Sequence, residues 1–425
     1  MFVAYYRSGR LSQHLLWLAC AAGVVGLLAS RALVSLAPVA GVVAGLANPE
    51  LGRIWPRYFR NAAAMRAAAL VVFLLLSGLY TSEWATWRHE LFRSLSWLGV
   101  PLAFTLAVPL TGRQRRSVGS LFVLGTAAIG VVTLGKYLLH PAEANEAIRI
   151  GQNVQAVTRI FHVPFGVMLA LSFFWGLLLQ RQAPAVLRAA LLVAAAGAAL
   201  TLHVLAYRTG LLVFYVGLLA YALWMLVRRH LVLGIGLFLL LALGPWLAYR
   251  TLPSVRQRVA STLFDVYQYS EGRDINNYSL ARRLAAVETA SAVIQKNWLL
   301  GVGPADTHAA MMEQYSWKDF GLRPANRVEV HNQYLEALMG GGIVGLGLWL
   351  AVLVGPLVAA RTRRNPYVWF FVLIQATVMM TADMLSLQLG LNLFVFSYGF
   401  LVVAAQAAPP SELVPERKES NPLLS

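Results

Sequence analysis

The stretch VEVHNQYLEALMGGGIVGLGLWL, residues 328–350, joins a polar dipeptide to a long apolar run. His331 and Asn332 stand directly before the run, and a rather polar segment, residues 250–330, precedes them. The apolar run has the length of a bilayer crossing, which takes about 20 residues in a helix. The stretch therefore predicts a transmembrane helix with a histidine at the edge of the membrane.

The composition of the whole chain agrees with this interpretation. Of its 425 residues, 58% are hydrophobic and 12% are charged. Soluble globular proteins carry about 25% charged residues. The chain is therefore predicted to be an all-α integral membrane protein with about twelve transmembrane helices. The predicted spans are residues 13–30, 32–47, 67–81, 95–110, 118–139, 160–179, 186–206, 209–227, 231–249, 333–358, 367–383 and 387–407.

The formal net charge of +17 comes from short arginine clusters that lie between the apolar runs. These clusters fall on every second connection, so the positive-inside rule predicts that they and both termini are cytoplasmic. Residues 250–330 carry ten Lys/Arg and eight Asp/Glu, which is nearly balanced. We expect them to form one large helical loop on the opposite, outer side of the membrane. A nucleic-acid surface, with solvated basic and aromatic side chains interleaved, is not predicted.

Four regions follow from this topology. Residues 1–249 would hold helices one to nine, 250–330 the loop domain, 331–407 the last three helices, and 408–425 a disordered cytoplasmic tail. The single cysteine, Cys20, lies in the first apolar run, which excludes a disulfide framework and a cysteine metal site. The N-terminal residues resemble a signal peptide, but their apolar stretch is long for one, and a retained helix fits the topology.

Two arginine motifs lie on the predicted outer side. Tyr207 and Arg208 stand between two apolar spans, where an arginine either snorkels at the interface or holds an anion. In the loop, a helix starting near Ser279 as N-cap would place Arg282 and Arg283 in its first turns. Cations are disfavoured there unless an anion is near, so the pattern favours a phosphate site. The alternative is a solvated helix with two surface arginines.

His331 is a candidate general base. The positive end of the helix dipole favours a neutral imidazole there, which can accept a proton. The alternative is a structural histidine, with Asn332 beside it as a substrate-binding candidate. Arg159 and His162 stand at the mouth of another span, where they either line an acceptor site or pack at the interface. No HExxH or paired-carboxylate spacing appears, so no metal site is predicted.

These motifs occur in a particular order. RTG at 208–210 opens a span, and the long loop carries SLARRL at 279–284 and LLGVGP at 299–304. HNQYL at 331–335 and a glycine-rich span follow. In this order and sidedness the chain resembles the O-antigen ligase family, most clearly over residues 207–350.

The resemblance implies a GT-C-type glycosyltransferase of the bacterial inner membrane, with the large helical loop and the active site in the periplasm. Such an enzyme transfers O-antigen from undecaprenyl pyrophosphate to a sugar hydroxyl of lipid A–core, with neither a nucleotide sugar nor a metal cofactor. Carried over to this chain, the catalytic residues are Arg208, Arg283 and His331, with Arg282 as the reserve candidate for the loop arginine. The arginines bind pyrophosphate, and His331 is the general base of an inverting transfer.

Three other functions compete with this one. An O-antigen polymerase uses the same donor with a growing glycan as acceptor, and the single late loop ending in His-Asn favours the ligase. A protein O-oligosaccharyltransferase often has an extended C-terminal region. A transporter of the lipid-linked glycan often has internal repeats and charged residues at the midplane, and neither is found in this sequence.

Overall fold

The structure, a computed structural model, describes residues 2–149 and 152–407. In these residues all regular secondary structure is helical. The predicted tail, 408–425, lies outside the described residues. The helices before the loop are α1 Phe2–Arg7, α2 Arg10–Ala29, α3 Arg31–Leu46, α4 Leu51–Ile54, α5 Pro56–Arg60, α6 Ala62–Ser77, α7 Trp84–Ser94, α8 Ser96–Leu106, α9 Gly112–Leu139, α10 Pro141–Arg149, α11 His162–Leu179, α12 Ala185–Val204, α13 Arg208–Val227 and α14 Leu231–Thr251.

The predicted loop and the last spans are helical as well. The helices are α15 Pro253–Ser270, α16 Ser279–Asn297, α17 Thr307–Trp317, α18 Gln333–Val358, α19 Pro366–Val378, α20 Gln388–Tyr398 and α21 Ala404–Ala407. Shorter turns are Gln180–Gln182 and Pro324–Asn326, both 3-10, and Gly399–Val403, a π-helical segment that joins α20 to α21. The polar segment is therefore a helical insert between α14 and α18.

Eight helices of the described chain are long and apolar enough to cross a membrane. They are α2, α9, α11 with the turn after it, α12, α13, α14, α18 and the continuous segment Gln388–Ala407. A ninth crossing results if α3 and the segment Leu51–Arg60, bent by 103°, count as one span. Each of the twelve predicted segments contains a helix, but α3, α6, α8 and α19 are shorter than a full crossing by themselves.

The centre of the bundle is α11, nearly all of whose residues are buried. It packs against α9, α12, α13 and α19. Phe174 of α11 stacks on Phe370 of α19 with ring centroids 4.4 Å apart. By contrast, α14 is apolar on all sides and buries only Gly234. A helix with this pattern suits contact with lipid, because exposed apolar side chains are costly only in water.

One end of the bundle carries α15–α17, and we call it the loop face. The connections 78–83, 152–161 and 379–387 lie at the same end, since hydrogen bonds tie each of them to the loop helices. The candidate site residues of the sequence analysis lie at this face.

The loop docks on a break in α18. Gly342 has φ 57° and ψ −159°, which is not helical, so the carbonyls before it lose their helical partners. The backbone N–H groups of Val302 and Gly303 donate to the carbonyls of Met339 and Gly340, each at 2.9 Å. A side chain at Gly342 would meet the carbonyl oxygen of Leu299 at 2.2 Å. The absence of side chains at these glycines therefore allows the loop backbone to pair with the backbone of α18 at the break.

Replacing Gly342 by alanine is expected to destabilise the protein. The residue would be forced into a conformation that costs about 1–3 kcal/mol for residues other than glycine, besides the clash with Leu299. Gly347→Ala, on the same helix and facing open space, is the matched control. The measurement is the midpoint of thermal unfolding in detergent, and equal midpoints for the two variants would contradict this account of the break.

Asp306 anchors the loop to the connection after α6. Its carboxylate accepts hydrogen bonds from the Thr81 hydroxyl at 2.6 Å and from the Ser82 amide and hydroxyl at 2.8 and 2.6 Å. Burial opposes ionisation, but the hydrogen bonds from Ser82 and Thr81 outweigh it and lower the pKa of Asp306 below its ordinary 3.8. The charged form is therefore the one that the fold stabilises.

Asp306→Asn should lower stability near pH 7 by about 1–3 kcal/mol, because hydrogen bonds to a charged acceptor are lost. A depressed pKa gives stability that is present above the unfolded pKa and lost as pH falls through the folded one. The difference between wild type and variant should therefore shrink below pH 3.8. Unfolding midpoints measured across this range test the point, and a gap independent of pH would contradict it.

Candidate active site

A cavity of about 250 Å³ opens at the loop face, and we call it the basic cavity. Three arginines line it, one each from α13, α15 and α16: Arg208, Arg258 and Arg283. His162 and Asn153 line it as well, and no carboxylate is among its described lining residues. Three cations that face one cavity repel each other. An anion bound in the cavity would offset this repulsion, so the arrangement favours an anionic ligand.

Arg208 is the first residue of α13 and is brought to the cavity by a close helix crossing. Gly210, two residues on, lies against Gly166 of α11, where a Cβ on either residue would approach the Cα of the other within 3.0 Å. The guanidinium Nη2 of Arg208 donates to the Ser261 hydroxyl at 3.1 Å, whereas its buried Nε has no hydrogen-bond partner in the described structure. A buried N–H without a partner is costly and is open to a ligand oxygen.

Arg283 lies in the second turn of α16, and its Nη1 donates to the carbonyl of Thr381 at 3.2 Å. Burial lowers the pKa of Arg283, while nearby Asp383 raises it. The helix begins at Ser279, close to the predicted start, but the predicted cap is wrong, because Tyr278 is the N-cap residue and Ser279 does not cap. Instead, Asp265 of α15 accepts from the backbone N–H of Leu280 at 2.8 Å, so a carboxylate already balances this helix end.

Arg258 was not singled out by the sequence. It is buried on α15, and its Nη2 donates to the Gln152 carbonyl at 2.7 Å and to Asn153 Oδ1 at 3.1 Å. Burial, and then the neighbouring charge of Arg208, lower the pKa of Arg258 to about 10, which leaves it a cation at neutral pH. Arg258 is one of ten basic residues in the loop, and no motif in the sequence distinguishes it from the others. Only the packing of α15 shows that it lines the cavity.

Apart from His331, the remaining predicted site residues divide into one that lines the basic cavity and four that do not. His162 lines it, with Nε2 3.3 Å from Asn153 Nδ2. Arg282 points elsewhere and donates to Asn326 Oδ1 at 3.1 Å. Arg159 is exposed and lies outside the cavity.

Tyr207 and Asn332 have structural partners. The buried Tyr207 donates its hydroxyl hydrogen to the Val154 carbonyl at 2.6 Å. Asn332 is the N-cap of α18, accepting from the N–H groups of Tyr334 and Leu335, and its side-chain N–H donates to the Met380 carbonyl at 3.1 Å. Both side chains are thus committed to backbone groups and position the residues beside them, Arg208 and His331.

His331 forms a pair with Asp383, the last residue of the predicted span 367–383, which no motif in the sequence singled out. Nδ1 of the imidazole lies 3.0 Å from Asp383 Oδ1. The Asp383 side chain is 15% exposed and that of His331 is 32% exposed. When Nδ1 carries its hydrogen and donates to the carboxylate, the Nε2 lone pair is free to accept a proton. The carboxylate also stabilises the imidazolium that would result.

The 379–387 connection joins this pair to the basic cavity. It is fixed to the start of α18 by the Gln333 amide, which donates to the Met379 carbonyl, and by the Leu385 amide, which donates to Gln333 Oε1, both at 2.9 Å. Two residues before Asp383, Thr381 lines the basic cavity and accepts from Arg283. The imidazole is therefore held close to the group of arginines.

A second cavity, of about 390 Å³, adjoins the same connection and shares no lining residue with the first. We call it the carboxyl cavity, because it is lined by Glu90, Glu329 and Glu336. Its other polar lining includes Arg93, His308 and Gln333, and its apolar walls include Phe73, Trp97 and Trp349. Two cavities of opposite polarity thus meet at the connection that holds His331.

Comparison with protein-family models matches residues 189–350 to the family described as O-antigen ligase. This segment contains the three arginines of the basic cavity and His331. Residues 189–350 are thus a domain similar to this family, and we call it the ligase domain. Asp383 lies beyond the matched segment and joins the ligase domain through its contact with His331. A comparison with curated protein sequences found no match.

The long apolar helices fit a multi-pass membrane protein, and residues 189–350 of it are similar to O-antigen ligases. The matched family is one of enzymes, since its description names a ligase. Among the described residues, no group of three or more His, Cys, Asp or Glu side chains is arranged to hold a metal ion.

Proposed function

We propose that this protein is an O-antigen ligase that transfers O-antigen from undecaprenyl pyrophosphate to a sugar hydroxyl of lipid A–core. The observation that carries the proposal is the meeting of Arg208, Arg258 and Arg283 in one cavity, beside a histidine held by a carboxylate. The donor offers a pyrophosphate, the acceptor offers a hydroxyl, and these two groups of side chains match them.

The arginines act on the leaving group. As the bond between the anomeric carbon and the phosphate oxygen breaks, the electron pair passes to undecaprenyl pyrophosphate, which gains negative charge. Guanidinium groups bind phosphate oxygens in pairs and keep their charge at neutral pH. In a buried cavity such fixed charges stabilise the transition state more than they would in water. In the proposed step the arginines therefore balance the negative charge of the leaving pyrophosphate, and no divalent cation is needed for this.

His331 acts on the acceptor. Its Nε2 takes the proton of the attacking sugar hydroxyl, whose oxygen forms the new bond to the anomeric carbon, with inversion. Asp383 holds the imidazole by Nδ1 and balances the imidazolium charge. Release of that proton to solvent or to the departing phosphate returns the enzyme to its starting state.

We infer the membrane arrangement from the same reasoning. The loop face would lie in the periplasm, the arginine clusters and both termini in the cytoplasm, and the shorter helices α3, α6, α8 and α19 would complete twelve crossings of a GT-C fold. Both substrates are anchored in lipid, and their reacting groups stand just outside the bilayer. A base at the start of α18 stands at that depth, because the membrane-crossing part of this helix begins two residues later.

The test uses the purified protein in detergent with undecaprenyl-pyrophosphate-linked O-antigen, lipid A–core and a chelator. The proposal predicts long O-antigen on lipid A–core. Glycan that lengthens on the undecaprenyl carrier would instead indicate a polymerase, and transfer to an added protein acceptor would indicate an oligosaccharyltransferase. A transporter makes no product in detergent, where no closed membrane exists.

A further inference from the structure

We propose that the carboxyl cavity is the acceptor subsite and that it selects a core sugar without phosphate. This inference rests on the proposed ligase function and goes beyond it by naming the class of acceptor that the site admits. It is carried by three observations: the position of the cavity, the residue types that line it, and the commitment of its cations to protein partners.

The position follows from the 379–387 connection. Thr381 lines the basic cavity, Leu385 lines the carboxyl cavity, and Asp383 stands between them with His331 on its carboxylate. Gln333 and Glu336, on the first turn of the helix that follows His331, also line the carboxyl cavity. His331 itself lines neither cavity, so the proposal places the accepting hydroxyl at the border of the carboxyl cavity, next to the connection that holds the imidazole.

The lining suits a sugar. Aromatic side chains such as Trp97 and Trp349 offer apolar faces, while Glu336 and Gln333 offer hydrogen-bonding groups. Sugars likewise combine apolar C–H faces with a rim of hydroxyls. Carboxyl groups accept hydrogen bonds from hydroxyls when ionised, and both donate and accept when protonated. A neutral or amino sugar therefore finds partners in either state.

The cations of this cavity are already in use. Arg93 pairs with Glu90 and donates to the carbonyls of Leu385 and Ser386 at 2.6 and 2.8 Å. His308 Nδ1 lies 2.8 Å from Glu329. A phosphate entering here would face three carboxyl groups with no uncommitted cation among the described lining residues. The phosphate would find no cation to bind here and would be repelled by every carboxyl group that is ionised, and such repulsion gives specificity because it penalises the wrong ligand.

The opposite polarity also keeps the substrates apart. The donor pyrophosphate is attracted to the basic cavity and repelled from the carboxyl cavity, and an unphosphorylated acceptor sugar has no such preference for the arginines. Both substrates can therefore bind at once without exchanging places, which a single-displacement transfer between two lipid-linked glycans requires.

The experiment measures transfer by the purified full-length protein from undecaprenyl-pyrophosphate-linked O-antigen to two lipid A–core acceptors. The acceptors differ only in a phosphate on the sugar that bears, or neighbours, the accepting hydroxyl. We expect kcat/KM to be about tenfold or more higher for the acceptor without phosphate, which corresponds to at least one charge repulsion of about 1.4 kcal/mol.

Two variants locate the effect. Glu336→Gln and Glu329→Gln should each raise KM for the acceptor and leave KM for the donor unchanged. Glu329→Gln should also narrow the preference against phosphate, because it removes the carboxylate that pairs with His308. Glu313→Gln, at an exposed position of α17 that lines neither cavity, is the control and should behave as wild type. Using two carboxyl variants keeps the test valid where one of them fails to fold.

The outcomes separate this inference from the ligase proposal. Equal transfer to both acceptors, or carboxyl variants that weaken the donor rather than the acceptor, would overturn the inference and leave the ligase function standing. No transfer to either acceptor by folded protein would overturn the ligase proposal and the inference with it.

Discussion

Replacing His331 by alanine is expected to lower the rate of glycan transfer by about 10²–10⁴-fold, the usual contribution of a general base. The protein should still insert and fold, because the helix cap is provided by Asn332 and not by the imidazole. Most of the loss should appear in kcat, because the imidazole accepts the proton in the transition state and contributes little to substrate binding. Transfer assays with purified protein in detergent measure it.

The control for this prediction is His89→Ala, an exposed histidine of α7 that should leave transfer unchanged. Asp383→Asn should give an intermediate loss, because the imidazole remains but its charge is no longer balanced. Full activity of the His331 variant would contradict the assignment of the base.

The second large effect is expected at the arginines. Arg283→Ala should lower transfer by about 10²–10³-fold, the cost of removing one charge-stabilising group from a transition state. Arg282→Ala should have a small effect, because Arg282 donates to Asn326 and does not line the basic cavity. The two variants differ by one position and remove the same group, so they form a matched pair.

Donor binding separates the two arginines further. A fluorescent undecaprenyl pyrophosphate should bind more weakly to the Arg283 variant than to wild type and normally to the Arg282 variant. The reverse order would contradict the orientation of this helix turn and would return the role to Arg282.

Local sequence patterns predicted the structural features that depend on residues close together in the chain. The amphipathic pattern after Ser279 predicted α16, and the helix begins at that residue. The polar dipeptide before an apolar run predicted the start of α18, where Asn332 is the cap. Such features depend on neighbours within a few residues, and propensity and capping describe those well.

Residues brought together by packing were not predictable in the same way. Arg258 reaches the basic cavity only because α15 lies against the 152–161 connection. Asp383 is 52 residues from His331 along the chain. Likewise, the break at Gly342 is stabilised by a loop segment, distant in the chain, whose backbone pairs with it. Contacts between residues far apart in the chain leave no periodicity or characteristic spacing that a single sequence would show.

The number of crossings shows a further limit. Hydropathy identified twelve apolar segments, yet only eight of the corresponding helices are long and apolar enough by themselves. Pro101 lies inside α8, and α3 ends at the bent connection to the next helices. Hydropathy averaged over a window of sequence does not detect such breaks. It therefore predicts the length of an apolar segment but not the length of the straight helix within it.

The central claim, that the glycan moves from the lipid carrier to lipid A–core, is tested most directly in Gram-negative cells that lack this protein. Their glycolipids would be separated by gel and probed for lipid A–core and for undecaprenyl carrier. The account predicts long O-antigen stranded on the carrier beside bare lipid A–core. Lipid A–core that bears single repeats would contradict it, because ligation would then proceed without this protein and only polymerisation would be lost.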